Sequence, residues 1–276
     1  MAQISAADVS KLRKTTGAGM MDCKKALEEA NGNFDEAVEI IRKKGQAIAN
    51  KRADREAGEG AALAGVSSDK KNGAIIVLNC ETDFVAKNED FVKFAKSILD
   101  LAIEKKPANL DALLALNLND RKVSDEVTEK IGVIGEKLEL SYYESLEAAS
   151  VISYIHPGNQ LATMVGFNKA DIAEQVAKDI AMQVAAMNPV AVDKDDVSAE
   201  TIEKEKEIGR EQARQEGKPE NMLDKIAEGK LNKFFKESTL LNQDFIKESK
   251  MTVKQYLQQN DKELTVTGFK RFSLKN

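Results

Sequence analysis

Apolar residues recur at helical spacing in three short runs over residues 1–45. Ser5 suits an N-cap with Asp8 three residues on, and Ile4 and Val9 hold the flanking staple positions. Val9 and Leu12 begin one apolar face, and Thr15-Thr16-Gly17-Ala18-Gly19 breaks that helix. A second helix is predicted from about Met20 to Ala30, with Asn31-Gly32 as its stop. Asn33 and Glu36 form a capping pair for the third, whose face is Ala37, Ile40 and Ile41 and whose predicted end is Gly45. Residues 46–58 are polar and charged and read as a linker, helical or extended.

The period then changes. Gly60–Val66 and Gly73–Glu81 are small or β-branched runs around a polar turn, which predicts a hairpin. Asn88-Glu89-Asp90 opens a helix whose buried face is Phe91, Phe94, Ala95, Ile98, Leu99, Ala102 and Ile103, and Pro107 closes it. A further helix over about 124–135 carries Val127, Ile131 and Ile134. The plan repeats: Val151–Ile155 and Leu161–Phe167 flank a turn at 156–160, and a helix over about 170–187 follows. Two hairpin-then-helix units predict an α+β fold in which each helix covers one face of its sheet.

Residues 193–230 hold twelve acids and eight bases. Ser198 caps a predicted helix to about 215, Gly217-Lys218-Pro219 turns the chain, and Gly229 ends a second helix. The sparse apolar positions (Ile202, Ile208, Ala213, Met222, Leu223, Ile226) suit a projecting antiparallel arm. Thr252 caps a short helix, and Glu263–Phe272 reads as a last strand rejoining the second sheet.

Composition narrows the chemistry. The chain has 276 residues, about two domains at roughly 100–200 residues each. Its net charge is −5, which argues against a chain dominated by nucleic-acid binding. One His and two Cys exclude a His-rich metal site and a four-cysteine zinc site. His156 would be the sole histidine base for a triad and has no visible nucleophile, so a turn or contact role is expected of it. No secretory signal is visible in Met1-Ala2-Gln3-Ile4-Ser5, and the run Ala74–Leu78 is far short of the about 20 residues that span a bilayer. Cys23 and Cys80 are expected as buried reduced thiols in a cytoplasmic protein. The interrupted basic clusters at 42–44 and 51–55 read as a solvated face, so no direct nucleic-acid contact, no membrane contact and no cofactor are expected.

Two segments stand out. Adjacent Met20 and Met21 at a glycine-rich helix start either pack inside a very small core or present an adaptable apolar contact to another protein. In Thr82-Asp83-Phe84-Val85-Ala86-Lys87-Asn88, the Phe is either a core anchor or a projecting wedge. The glycines lack the order and spacing of a phosphate-binding loop.

The run TGAGMMDCKKALEEANGNFDEAVEIIRKKG, then TDFVAKN from Thr82, closely resembles the translation elongation factor Ts family. YIHPGN, IAMQVAA, GKPENML and VTGFKRF follow in the same order, so the resemblance spans essentially the whole chain. It implies a guanine-nucleotide exchange factor that binds elongation factor Tu, promotes GDP release and allows GTP reloading, without covalent chemistry. It implies a ubiquitin-associated-like three-helix domain (1–54), a core N-subdomain (55–139), a core C-subdomain (140–192 with 230–276) and a coiled-coil insertion (193–229). By matching positions, Leu12, Met20 and Met21 would touch the partner's GTPase domain. Asp83 and Phe84 would reach its magnesium and phosphate region, with Phe84 as the intruding ring, and the adjoining Thr82 and Val85 would also bind the partner. Ile131 and Gly132 match a further contact on that domain, and His156 one on a β-barrel domain. The resemblance thus favours the wedge for Phe84. Many family members continue into a C-terminal helical module after the position of Phe272, and its contacts are expected to be absent here or supplied otherwise. Asp244 stands where the family commonly has Pro, which implies a local loop difference. A homodimer through the arm, or a 2:2 assembly with the partner, stays open. A ubiquitin-type adaptor would explain the three helices but neither TDFVAKN nor the paired α+β units, and no pair of acids has the spacing of a carboxylate hydrolase.

Overall fold

The computed structural model describes residues 4–275; the ends of the expected outer units, 1–3 and 276, lie outside them. Three helices come first: α1 (Ala6–Thr16), α2 (Met20–Glu29) and α3 (Phe34–Arg52). Local signals set their starts. Ser5 and Asp8 close a full capping box, and Asn33 accepts from the amides of Asp35 and Glu36. Their core is Val9, Leu12, Ala18, Cys23, Ala26, Leu27, Ala30, Ala37 and Ile41. The predicted stop at Gly45 is wrong. α3 runs through it to Arg52, so most of the linker is helical. Gly45 instead lets another helix approach.

The first sheet follows, with β1 (Glu59–Val66) and β2 (Asn72–Cys80) as its hairpin. Next come a single turn α4 (Asp83–Ala86), α5 (Glu89–Lys105), α6 (Leu110–Ala115), the short pair β3 (Asn117–Leu118) and β4 (Arg121–Lys122), and α7 (Val123–Ile134). A third strand, β5 (Leu138–Glu147), was not expected; it spans the expected boundary at 139/140 and pairs antiparallel with β2. A bulge opposite Val77/Leu78 breaks its two-residue alternation, which hides it in the sequence.

The second sheet holds β6 (Ser150–Ile155), β7 (Leu161–Phe167) and, after α8 (Glu174–Met187), α9 (Ala199–Gln215), α10 (Leu223–Ser238), β8 (Asp244–Phe245), β9 (Glu248–Thr252) and α11 (Val253–Asn260), the last strand β10 (Val266–Ser273). Its order is β10-β7-β6, so the final strand rejoins the second sheet as expected. The two sheets pack against each other. Ala62, Ala64, Ile75 and Val77 meet Val151, Ala162 and Met164, with Tyr142 tilted against Phe272. Helix α5 covers the outer face of the first sheet and α8 that of the second. The order helix, sheet, sheet, helix explains why every position of β2 is buried.

The arm is α9 packed on α10. Its seam is Gly209, Ala213, Leu223, Ala227 and Leu231, and Gly209 lets the backbones close to where a Cβ would stand 3.1 Å from Ala227 Cα. Ile208 and Met222, expected in the seam, are exposed, because the contacts fall one residue over, on Gly209 and Leu223. Helix α10 continues past Gly229 to Ser238, so the expected boundary at 229/230 lies within it. At the root, Val190 N–H donates to Ser238 O (2.8 Å) and Leu240 N–H to Ala191 O (2.9 Å).

One buried polar group holds the second unit together. Asp179 of α8 is buried, and its carboxylate accepts from Lys247 Nζ (2.6 Å), Gln175 Nε2 (2.6 Å) and Tyr256 OH (2.8 Å). Burial pushes this carboxyl up, but the three donors outweigh it and hold it below its ordinary value. Its stabilisation is therefore complete above the ordinary aspartate range and is lost as pH falls through the depressed value. Asp179→Asn is expected to cost about 1.5–3 kcal/mol at neutral pH, the scale of charged hydrogen bonds. The larger penalty of a fully buried pair does not apply, since Lys247 is half exposed. Urea unfolding checks this, and the gap between the two proteins should begin to narrow below about pH 3.9 and go on shrinking as pH falls through the depressed value.

Candidate protein-docking site around helix α7

Phe84 is the most exposed large apolar side chain among the described residues, at 84%. Strand β2 ends at Cys80, and Thr82 N-caps the single turn α4, its Oγ1 accepting from Val85 N–H at 3.4 Å. Val85 and Ala86 pack on the first core, and the same turn directs Phe84 outward. Asp83 pairs with Lys87 at 2.6 Å, and that hydrogen bond holds its carboxyl below the usual range while raising the lysine. Asp83 is thus an anion at neutral pH, one residue before the ring.

The turn is anchored from α7. Glu136, one residue past the left-handed cap Gly135, accepts from Glu81 N–H (3.2 Å) and Thr82 N–H (3.1 Å) on Oε2. Its Oε1 accepts from the Thr82 hydroxyl at 2.7 Å. Glu81 in turn accepts from Lys137 N–H (2.6 Å) and Arg52 Nη1 (2.7 and 2.9 Å). The Lys137 amide is the main influence holding the Glu81 carboxyl below its ordinary value.

Met20 and Met21 are 58% and 64% exposed, so the reading that packs them inside does not hold. Gly17 caps α1 in the left-handed region, and Ala18, not a methionine, fills the end of the core. The Cys23 thiol donates to Ala18 O at 3.6 Å and ties the loop down. Met20 and Met21 thus begin α2 beyond the core's edge. Gly17 lies against α7, where an added Cβ would stand 3.8 Å from Val133.

Three expected contacts also pack within this chain. Leu12 is fully buried in the three-helix core. Ile131 is buried in the first core. Gly132 meets Gly45 of α3 backbone to backbone, so it joins two helices of this chain. His156 sits exposed in the turn after β6, its Nδ1 2.9 Å from Tyr154 OH. That turn is fixed to the first sheet by Ala62 N–H donating to Asn159 O at 2.7 Å. His156 belongs to the second sheet, whereas Phe84 and Val85 share one groove with Val133 and Ile134 of α7. Glu136, Glu81 and Arg52 escaped the sequence reading; their partners are distant in sequence, and three charged residues in polar stretches carry no local signal.

From Gly17 of the methionine loop to Phe84 runs a groove of about 490 Å³ whose apolar lining is Val85, Phe91, Phe94, Val133 and Ile134, with Asn88, Asp90 and Lys130 beside them. Two projecting apolar groups, an anion and an apolar groove form a surface for docking a protein. Cys23 and Cys80 are both free and buried, and desolvation pushes the Cys80 thiol up to about 12, so neither is poised as a nucleophile. No helix among the described residues is long and apolar enough to cross a membrane.

A family model for elongation factor TS matches residues 81–276. Elongation factor Ts of Porphyromonas gingivalis is 58% identical over 269 residues, covering 97% of each chain. That of Flavobacterium psychrophilum is 54% identical over 275 residues, covering 99% of this chain and all of the relative. That of Bacteroides fragilis is 44% identical and covers 99% of each chain. With identities of this size along nearly the full length, and with the motifs at Met20 and Phe84 displayed on its surface, the chain belongs to the elongation factor Ts family.

Proposed function

We propose that this protein is the guanine-nucleotide exchange factor for elongation factor Tu, acting in the cytoplasm during translation elongation. The observation that carries the reading is Phe84, held almost fully exposed beside a carboxylate on an anchored turn. The ring adjoins an apolar groove with Phe91, Phe94, Val133 and Ile134, and a contiguous exposed apolar patch of this kind marks a protein contact. The three-helix unit, residues 1–54, grips the GTPase domain through Met20 and Met21. The unit of residues 55–139 brings Asp83 and Phe84 against its magnesium and phosphate region. His156 supplies a contact from the second unit to a β-barrel domain. No bond is made or broken, and the magnesium belongs to the partner.

Exchange requires reciprocal weakening: whatever this chain does to nucleotide affinity, nucleotide does to its own affinity. A shift through about 10⁴ needs roughly 5.5 kcal/mol. Burying one Phe contributes only about 1.5–3 kcal/mol. The methionines and the second unit must therefore supply the remainder, together with the partner's lost metal and phosphate contacts.

The test is release of a fluorescent GDP from elongation factor Tu with and without the chain; an unchanged rate overturns the reading. Met20→Ala/Met21→Ala is expected to raise the concentration giving half-maximal release about ten- to hundredfold, at unchanged melting temperature. Titrating the variant into the same assay checks it. A melting temperature well below wild type would show instead that the methionines support the core.

A further inference from the structure

We propose that Glu136 is the positioning residue of the exchange reaction, aiming Phe84 by holding the residues that start its turn. The inference rests on the exchange reading and deepens it. Helix α4 is one turn long, far below the length at which a helix persists alone, so its shape depends on its cap. That cap is the Thr82 hydroxyl, which has one proton to give and must accept from Val85 N–H. Glu136 takes that proton and leaves the oxygen free to cap. The same carboxylate accepts the amides of Glu81 and Thr82, fixing the direction in which β2 leaves its sheet. Every polar contact of the side chain therefore goes to the two residues preceding Asp83-Phe84.

The position of Glu136 is itself set by α7. Gly135 adopts φ 80° and its amide donates to Ile131 O at 2.8 Å, so the chain turns sharply out of the helix and presents the next side chain to Thr82. Val133 of the same helix lies against Gly17 of the methionine loop, and Gly132 against Gly45 of α3. One helix thus references both exposed apolar groups, and Glu136 is its connection to Phe84. An acid here acts through the ring and touches no nucleotide.

Glu136→Gln conserves shape but turns one of the two acceptor atoms into a donor facing donors. GDP release from elongation factor Tu is expected to slow about three- to tenfold, the net scale of one lost ordinary hydrogen bond. Glu136→Ala, which removes all acceptors, should slow it further. The deciding readout is a double-mutant cycle. In a Phe84→Ala background, Glu136→Gln should change nothing more, because its effect passes through the ring. In a Met20→Ala/Met21→Ala background, its effect should multiply in full. Amide hydrogen exchange at Glu81 and Thr82 should quicken in both Glu136 variants, while amides of β1 keep their protection. Wild-type release by both variants overturns the inference, as does a Glu136→Gln effect that multiplies undiminished on Phe84→Ala. A wild-type chain that leaves GDP release unchanged overturns the functional reading, and this inference with it. Slow Phe84→Ala beside fast Glu136→Gln and Glu136→Ala overturns this inference alone.

Discussion

Phe84→Ala slows GDP release about ten- to hundredfold and leaves the melting temperature of the free protein at its wild-type value. Both halves of this expectation follow from the side chain's 84% exposure. A ring that meets solvent gives up little packing when truncated, so the folded state loses almost nothing. In the complex the same ring exchanges water for partner surface, worth about 1.5–3 kcal/mol when fully buried, with 1.4 kcal/mol for each tenfold. Phe84→Leu keeps much of the apolar area and should fall between the two. Stopped-flow release of a fluorescent GDP at saturating factor, beside thermal unfolding monitored by circular dichroism, measures the pair. Wild-type release would remove Phe84 from the mechanism. A clear fall in melting temperature would return it to the core-anchor reading, which the exposed ring argues against.

What the sequence disclosed divides by the range of the interaction. Caps are local: Ser5, Asn33, Asn88 and Thr252 each read as helix starts and each accepts the amide its type predicts. Glycine is ambiguous because the same residue ends helices and admits close neighbours. Gly32 follows a helix end, whereas Gly45 and Gly229 lie inside helices that continue. The face-to-face packing of the sheets was present in unused form. Ala61-Ala62-Leu63-Ala64 and Ile75-Ile76-Val77-Leu78 are apolar at every position, which a strand with one wet face would not be. Strand β5 alternates through Leu138 and Leu140, then loses its phase at the bulge.

The site divides the same way. Met20, Met21 and Phe84 stand in motifs that identify the family, and the structure places all three at the surface. Leu12 lies in a matching stretch as well, yet its helical phase with Val9 carries it to the interior. The support of Phe84 was illegible, since Thr82 and Glu136 are 54 residues apart and only the fold brings them together. Motif resemblance finds the residues displayed on a surface. It does not separate them from those that hold the display in place, and Gly132 stands in such a motif position while meeting Gly45 backbone to backbone.

Gly132→Ala destabilises the protein, whereas Gly45→Ala at the same helix crossing does not. A Cβ on Gly132 would stand 2.5 Å from Gly45 Cα, a backbone atom that no rotamer change can move. A Cβ on Gly45 would meet Gly132 Cα at 3.5 Å, an ordinary contact. Helices α3 and α7 must therefore part for Gly132→Ala, at a cost of about 1–3 kcal/mol typical of overpacking. Over most of that range this outweighs the roughly 1 kcal/mol that alanine contributes over glycine in a helix. Gly45→Ala retains that contribution and should unfold at the same or higher denaturant concentration. Function separates the two as well. Parting α3 from α7 moves the methionine loop relative to Phe84, so Gly132→Ala should lose exchange activity even at a temperature where it is fully folded. Gly45→Ala should keep wild-type release. If Gly132 instead touched the partner directly, Gly132→Ala would lose activity at unchanged stability. Urea midpoints of the two single variants, read beside their GDP-release rates at low temperature, decide between an internal joint and a surface contact.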